Sequence, residues 1–246
     1  MNNSLKNKLS NLELVIFDLD GTLIDSNGTH NYLDIELARS LGENKSSKEI
    51  LQERDEVIKN NKTGDIYLNY CNYLKTKYDS SLSASEILQI RRNLSKKISK
   101  DIKYKTDADI FIKYLKNQNI KLALATVSRR ETIDIYINEN ENIKNKCNFN
   151  EYFDFIVTKD DVILKKPNPE VYNKIIENFQ IKDLSKCVVI EDSLTGVLAA
   201  KNANLDVIVI HDKYSDKDRE KINELADYNV TDYKELIHLF EESKSI

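Results

Sequence analysis

Short apolar runs alternating with amphipathic helical stretches constrain this chain more than any other feature. The runs are Leu12 to Phe17, Ile120 to Ala125, Phe153 to Val157, Cys187 to Ile190 and Val207 to Ile210. They are rich in Val, Ile and Leu, as strands buried on both faces should be. Helical patterns occupy Ala108 to Asn117, Arg130 to Asn138, Pro169 to Phe179, Leu194 to Asn202 and Tyr233 to Glu242. Strand–helix–strand order predicts an α/β fold, a parallel sheet with helices on both faces.

The alternation breaks once. From Asn27 to Lys103 no strand is evident, and helical segments take over. Leu33, Leu37 and Leu41 mark the first. Ser46 with Glu49, and Ser83 with Glu86, predict capping boxes for the second and fourth, and Asp65 can cap the third. The expected division is residues 1–26 and 104–246 for an α/β core, with 27–103 as an all-helical insert. The group Tyr67, Tyr70, Tyr73 and Tyr78 reads better as a core stripe than as a ligand face.

Charge narrows the class of partner. The 246 residues carry 37 Lys+Arg against 41 Asp+Glu, a net charge of −4. Nucleic-acid binding calls for a basic face, so none is expected. No run approaches the roughly 18 apolar residues of a membrane span. Met1 to Asn11 has no apolar core of a signal peptide. Three scattered cysteines, Cys71, Cys147 and Cys187, fit neither a disulfide framework nor a thiolate zinc site. A cytoplasmic protein with no membrane partner is expected; a monomer is compatible with the sequence, which does not fix the oligomeric state.

Only five Gly and two Pro occur, so their positions point to shaped loops. Gly21 and Gly196 follow carboxylates that end apolar runs, and both prolines lie in Lys166-Pro167-Asn168-Pro169. In Asp18-Leu19-Asp20-Gly21-Thr22 a strand delivers two carboxylates, spaced to share one side of the sheet's C-terminal edge. One can bind metal and attack while the other moves a proton; a solvated turn is the plain alternative. A second strand delivers Glu191-Asp192 to the same edge. Acidic pairs from two strands repel unless a cation lies between them, and oxygen donors without His or Cys suit Mg²⁺. Asp192-Ser193 can equally be a helix cap. A third strand ends in Thr126-Val127-Ser128-Arg129, where a hydroxyl and free backbone N–H groups can bind phosphoryl oxygens, or merely start a helix. Lys166, stiffened by its prolines, can offset carboxylate and phosphate charge.

These four segments, in this order, resemble the motifs of the haloacid dehalogenase-like superfamily. Asp18 to Thr22 is similar to its first motif, Thr126 to its second, Lys166-Pro167 to its third and Glu191-Asp192 to its fourth. The stretch Glu191 to Ala200 is especially similar, and Ala226-Asp227-Tyr228 resembles the approach to the last strand. The likeness covers about residues 12–24 and 105–240; the insert resembles the family's helical cap in position and length only. It implies a Rossmann-like core and a Mg²⁺-dependent phosphatase acting on a small phosphorylated metabolite. Asp18 is then the nucleophile and Asp20 the proton carrier. Asp18, the Asp20 carbonyl and Asp192 hold the metal, with Glu191 at or behind it. Thr126, Val127, Ser128 and Arg129 take the phosphoryl group, Lys166 screens charge, and the cap excludes water. Relatives that cleave carbon–halogen or carbon–phosphorus bonds lack an aspartate at the position of Asp20.

Two alternatives stay open: a phosphosugar mutase of the β-phosphoglucomutase type, and a catalytically silent binding protein on the same scaffold. His30 resembles a histidine of the mutase group, but no mutase-like cap loop is recognisable, so hydrolysis is expected. The glycine usual before the third-motif lysine is Lys165 here. Arg54, Lys62 and Arg129 are candidate substrate contacts, the first two also readable as solvated charges.

Overall fold

The computed structural model describes residues 9–60 and 65–244. Lys62 lies outside them. Six strands form one parallel sheet: β1 (Leu14–Phe17), β2 (Lys121–Ala125), β3 (Phe155–Val157), β4 (Cys187–Glu191), β5 (Asp206–Ile210) and β6 (Tyr228–Val230). The order is β3-β2-β1-β4-β5-β6. The chain leaves β1 toward β2 on one side and later returns to β4 on the other, so the order reverses at β1. Ligands of open α/β sheets bind in the crevice at such a point. Phe17 lies level with Leu124 and Ile190, which makes Asp18, Ala125 and Glu191 the next residues along three adjacent strands.

The chain divides into two units, one of residues up to Ser26 and from Asp101 onward, the other Asn27–Lys100. The second junction lies three residues before the expected 103/104. The reason is hydrogen bonding: Lys103 O accepts from Asp25 N at 3.0 Å and Lys105 N donates to Leu23 O at 2.9 Å. The buried Asn140 amide also holds Ile102 O at 2.8 Å, so these residues belong to the core.

The helical unit contains α1 (Thr29–Ser40), α2 (Ser47–Asn60), α3 (Ile66–Lys77) and α4 (Ala84–Ser99). Asp65 accepts from Tyr67 N and Leu68 N, and Ser83 with Glu86 closes a capping box. Ser46 and Glu49 exchange side-chain and backbone bonds as expected. Leu37, Tyr70, Cys71, Leu74 and Ile87 form the core, and the hydroxyls of Tyr73 and Tyr78 bond to Glu53 and Glu43. Arg54 is not a solvated charge. It reaches the buried Asp34 carboxylate at 3.0 Å, whose other oxygen takes Arg91 at 2.7 Å.

In the α/β unit the helices are α5 (Ala108–Asn117), α6 (Arg130–Asn138), α7 (Glu141–Cys147), α8 (Phe149–Tyr152), α9 (Glu170–Asn178), α10 (Leu194–Asn202), α11 (Arg219–Leu225) and α12 (Tyr233–Lys244). Alternate residues of β1 serve opposite faces, as strand geometry requires. Leu14 and Ile16 pack with Val171, Tyr172, Ile175, Val197 and Ala200 of α9 and α10. Phe17 meets Phe111 of α5 and Phe153 edge-on, and Phe111 meets Phe240 of α12 at 5.0 Å. No helix among the described residues is long and apolar enough to cross a membrane.

Candidate active site

Asp18 N donates to Ile190 O at 2.9 Å, so the nucleophile candidate leaves the sheet still anchored to β4. The chain then turns tightly, with Leu23 N and Ile24 N both donating to Leu19 O. Gly21 takes φ +85° in this turn, a left-handed conformation that glycine adopts without a Cβ clash. Asp20 projects toward the end of β2. Its Oδ2 accepts from Ser128 Oγ at 2.7 Å and Thr126 Oγ1 at 3.3 Å, and its Oδ1 from Ser26 Oγ at 2.6 Å.

Lys166 lies across the ends of three strands. Its ammonium donates to Asp18 Oδ1 at 2.7 Å, Glu191 Oε1 at 2.6 Å and Ala125 O at 3.0 Å. Asn168 Oδ1 accepts from Glu170 N at 3.0 Å, as a cap should, although Pro169 rather than Asn168 stands at the α9 boundary. Glu191 is fully buried and fully engaged. Oε1 also accepts from Tyr172 at 3.0 Å, while Oε2 takes Asp192 N, Ser193 N and Ser193 Oγ. Gly196 is a helical residue of α10, not a loop glycine, and a Cβ there would fall within the Glu191 carboxylate. The glycine therefore serves close approach. Asp192 is gripped on both oxygens, by Thr22 Oγ1 at 3.0 Å and Ser215 Oγ at 3.2 Å; Ser193 caps α10 separately.

Oxygens of Asp18, Glu191 and Asp192 all lie within 4.8 Å of one another, and all three residues are buried. Burial first, then Glu191, pushes the Asp18 carboxyl well above the usual carboxylate range, against the pull of Lys166. The same two causes push Asp192 up to about 7. Burial opposes the Lys166 ammonium, but Asp18 and Glu191 outweigh it and hold its pKa above that of an ordinary lysine. The Lys166 ammonium thus pairs with two of the three carboxylates, while Asp192 is held by hydroxyls. The donor set is all oxygen, buried and electron-rich, which fits a hard divalent cation such as Mg²⁺.

The sequence model of the haloacid dehalogenase-like hydrolases matches residues 15–210. The chain belongs to this family. The haloacid dehalogenase-like hydrolase is 29% identical over 211 residues to the phosphorylated carbohydrates phosphatase of Thermotoga maritima, covering 81% of this chain and 86% of the relative. It is 25% identical over 207 residues to YhcW of Bacillus subtilis, assigned as a phosphatase, covering 82% and 84%. A solved Thermotoga maritima structure assigned to the β-phosphoglucomutases has a TM-score of 0.75 at 24% identity, over 94% of this chain and 99% of that one. That last likeness establishes the fold alone.

Of the residues singled out in the hydrolase sequence, Asp18, Glu191, Asp192 and Lys166 meet directly, and Asp20, Thr126 and Ser128 form an adjoining hydrogen-bonded group. Among the described residues no side-chain hydrogen bond or ion pair joins Val127 or Arg129 to these groups, although both flank Ser128. Val127 exposes its side chain, and Arg129 is exposed at the start of α6 with no capping bond. His30 belongs to the helical unit, where its ring stacks on Tyr67 with centroids 6.5 Å apart. Sequence reasoning missed Tyr172, Ser215, Ser26 and the grip of Thr22. Only Thr22 carried a signal, its place within the first motif.

Proposed function

We propose that this hydrolase is a Mg²⁺-dependent phosphatase that cleaves a small phosphomonoester through an aspartyl-phosphate on Asp18. One observation carries the reading: a buried cluster of three carboxylates with the Lys166 ammonium on two of them, beside a further aspartate, Asp20, held by hydroxyls at a strand end. Such a site attracts both a divalent cation and a phosphoryl group. The relative named for phosphorylated carbohydrates supports a phosphorylated small molecule as substrate.

Asp18 attacks phosphorus as the bond to the leaving oxygen breaks, and Asp20 gives that oxygen its proton. Asp20 then takes a proton from the water that attacks the aspartyl-phosphate, releasing phosphate and restoring Asp18. Ser26, Ser128 and Thr126 keep Asp20 aimed for both transfers. Lys166 stays charged throughout and offsets the negative charge on Asp18 and the phosphoryl oxygens. Thr126 Oγ1, which accepts from Ser128 N at 3.0 Å, sits at the loop that would receive those oxygens. Asp18, the Asp20 carbonyl and Asp192 would hold the metal, with Glu191 behind it fixing Lys166 and the Asp192 backbone. Bound there, Mg²⁺ supplies positive charge that lets the phosphoryl group approach the carboxylates.

The test is turnover of p-nitrophenyl phosphate by purified protein. Release of phosphate with Mg²⁺, lost in EDTA and in Asp18→Asn, is the expected result. Undiminished activity in either case would refute the mechanism. Interconversion of glucose 1- and 6-phosphates would favour the mutase, and no turnover of any phosphomonoester the silent scaffold.

A further inference from the structure

The two hydroxyls that grip Asp192 come from distant parts of the chain, Thr22 from the loop after β1 and Ser215 from the turn after β5. A hydroxyl rotates freely, so each grip is only as firm as the backbone that carries it. Both backbones lead to one residue. Lys105 N donates to Leu23 O at 2.9 Å, next to Thr22 in the chain. The ammonium of the same residue donates to Asp212 Oδ2 at 2.7 Å and to His211 O at 3.2 Å. Asp212 in turn caps the short helical turn Lys213–Asp218. Its Oδ1 accepts from Tyr214 N at 2.9 Å, and its carbonyl accepts from Ser215 N at 3.1 Å.

The pair that Lys105 forms with Asp212 is not an ordinary surface contact. The lysine side chain is 16% exposed and the aspartate 5%. Placing a lysine there costs hydration and rotamer freedom, and an apolar pair of similar volume often packs as stably. What the ion pair adds is direction, because it fixes the start of the turn that presents Ser215. Other groups support one side each. The Tyr233 hydroxyl donates to Thr22 O at 3.0 Å, and Arg219 Nη2 donates to Asp212 O at 3.1 Å. Lys105 supports both sides.

We infer that Lys105 is a positioning residue for the metal site: by holding the Leu23 carbonyl and the Asp212 turn together, it sets the orientation of the Asp192 carboxylate toward a divalent cation. The inference rests on the metal site proposed above and deepens it with a residue to which that reading gives no role. Lys105 differs in kind from Lys166, whose ammonium lies on Asp18 and Glu191 themselves. It touches neither Asp192 nor the reacting groups and acts through Ser215 and Thr22. Partners behind metal ligands commonly account for about 10–100-fold in metal affinity.

Thermal unfolding titrated with Mg²⁺ alone, without substrate, gives an apparent dissociation constant that does not depend on turnover. Charge and position predict different signs. Acting only as a nearby charge, Lys105 repels the cation, so Lys105→Met would bind Mg²⁺ more tightly than the wild type. Acting as a positioning residue, it strengthens binding, and Lys105→Met should weaken Mg²⁺ by about tenfold. Lys105→Gln carries the same expectation if the methionine variant does not fold, and Lys105→Arg, which keeps a charged donor for Asp212, should recover most of the loss. Adding Ser215→Ala to Lys105→Met should cost little more, since both changes remove the same grip. Lys201→Met breaks a comparable ion pair with Asp227, 2.7 Å long, and should leave Mg²⁺ affinity unchanged even where it lowers Tm. Unchanged or tighter Mg²⁺ binding by the Lys105 variants would overturn the inference, as would full additivity with Ser215→Ala or an equal weakening in Lys201→Met. A wild type whose unfolding ignores Mg²⁺ would remove the metal site itself and this inference with it. A responsive wild type with equally responsive Lys105 variants would remove this inference alone.

Discussion

Gly196→Ala pits two effects of known sign against each other. In an ordinary helix the change stabilises by about 1 kcal/mol, because alanine restricts the unfolded chain and favours the helix. Here the added methyl falls within the carboxylate of Glu191. Glu191 has no open space to move into, being fully buried with both oxygens hydrogen-bonded. If it yields while keeping its partners, the overpacking costs about 1–3 kcal/mol. If it is driven off Lys166, a buried pair is broken at about 3–5 kcal/mol. The crowding is severe enough for the second case, so the net loss should be about 2–4 kcal/mol in urea unfolding. Turnover should fall with it, because Lys166 and the Asp192 backbone both rest on Glu191. A double-mutant cycle isolates the cause: in a Glu191→Ala background the clash is gone, and Gly196→Ala should cost nothing further. A variant as stable and active as the wild type would refute the argument that this glycine exists for close approach.

Asp192→Asn should raise the Mg²⁺ concentration needed for half-maximal activity by tenfold or more while the unfolding midpoint changes little; an unaltered requirement would remove Asp192 from the metal site. Burial and Glu191 raise the Asp192 pKa from the ordinary 3.8 to about 7, so the folded state holds a proton that the unfolded state has lost. Metal-free stability should therefore fall as pH rises between about 4 and 7, and the rise in Tm given by Mg²⁺, which needs the deprotonated form, should grow over the same range. A metal-induced shift that is flat from pH 5 to 8 would contradict this. Asp34→Ala leaves the buried guanidinium of Arg91 and that of Arg54 without their shared carboxylate. It should cost about 3–5 kcal/mol in unfolding of the helical unit, read by proteolysis between residues 27 and 100, and a loss under 1 kcal/mol would show the pair to be replaceable.

Residues whose role follows from their own strand were legible in the sequence. Asp18, Asp20, Thr126, Glu191 and Asp192 each follow an apolar run, and the run itself says which edge of the sheet they reach. Lys166 was marked by its prolines. Tyr172 and Ser215 were not legible, because their contacts link positions 19 and 23 residues apart through packing rather than pattern. β6 carries only one buried residue, Val230, within its three, too little for an apolar run to stand out. Gly196 was read as a loop signal since helix-breaking is the usual meaning of glycine; its close approach to Glu191 depends on a side chain from the preceding strand. Neither reading of Arg54 in the sequence, substrate contact or solvated charge, includes its pairing with Asp34, because that partner sits on another helix.

The paired backbone at Asp25–Lys103 and Leu23–Lys105 works as a stem that clamps both ends of residues 27–100 side by side. With the ends already clamped, the intervening chain costs the α/β unit only loop-closure entropy, and doubling its length adds about 0.6 kcal/mol. The core's stability is then nearly indifferent to how many residues the stem carries, or to what they fold into. Modules of quite different size, grafted between Ser26 and Asp101, should leave the six-stranded sheet standing.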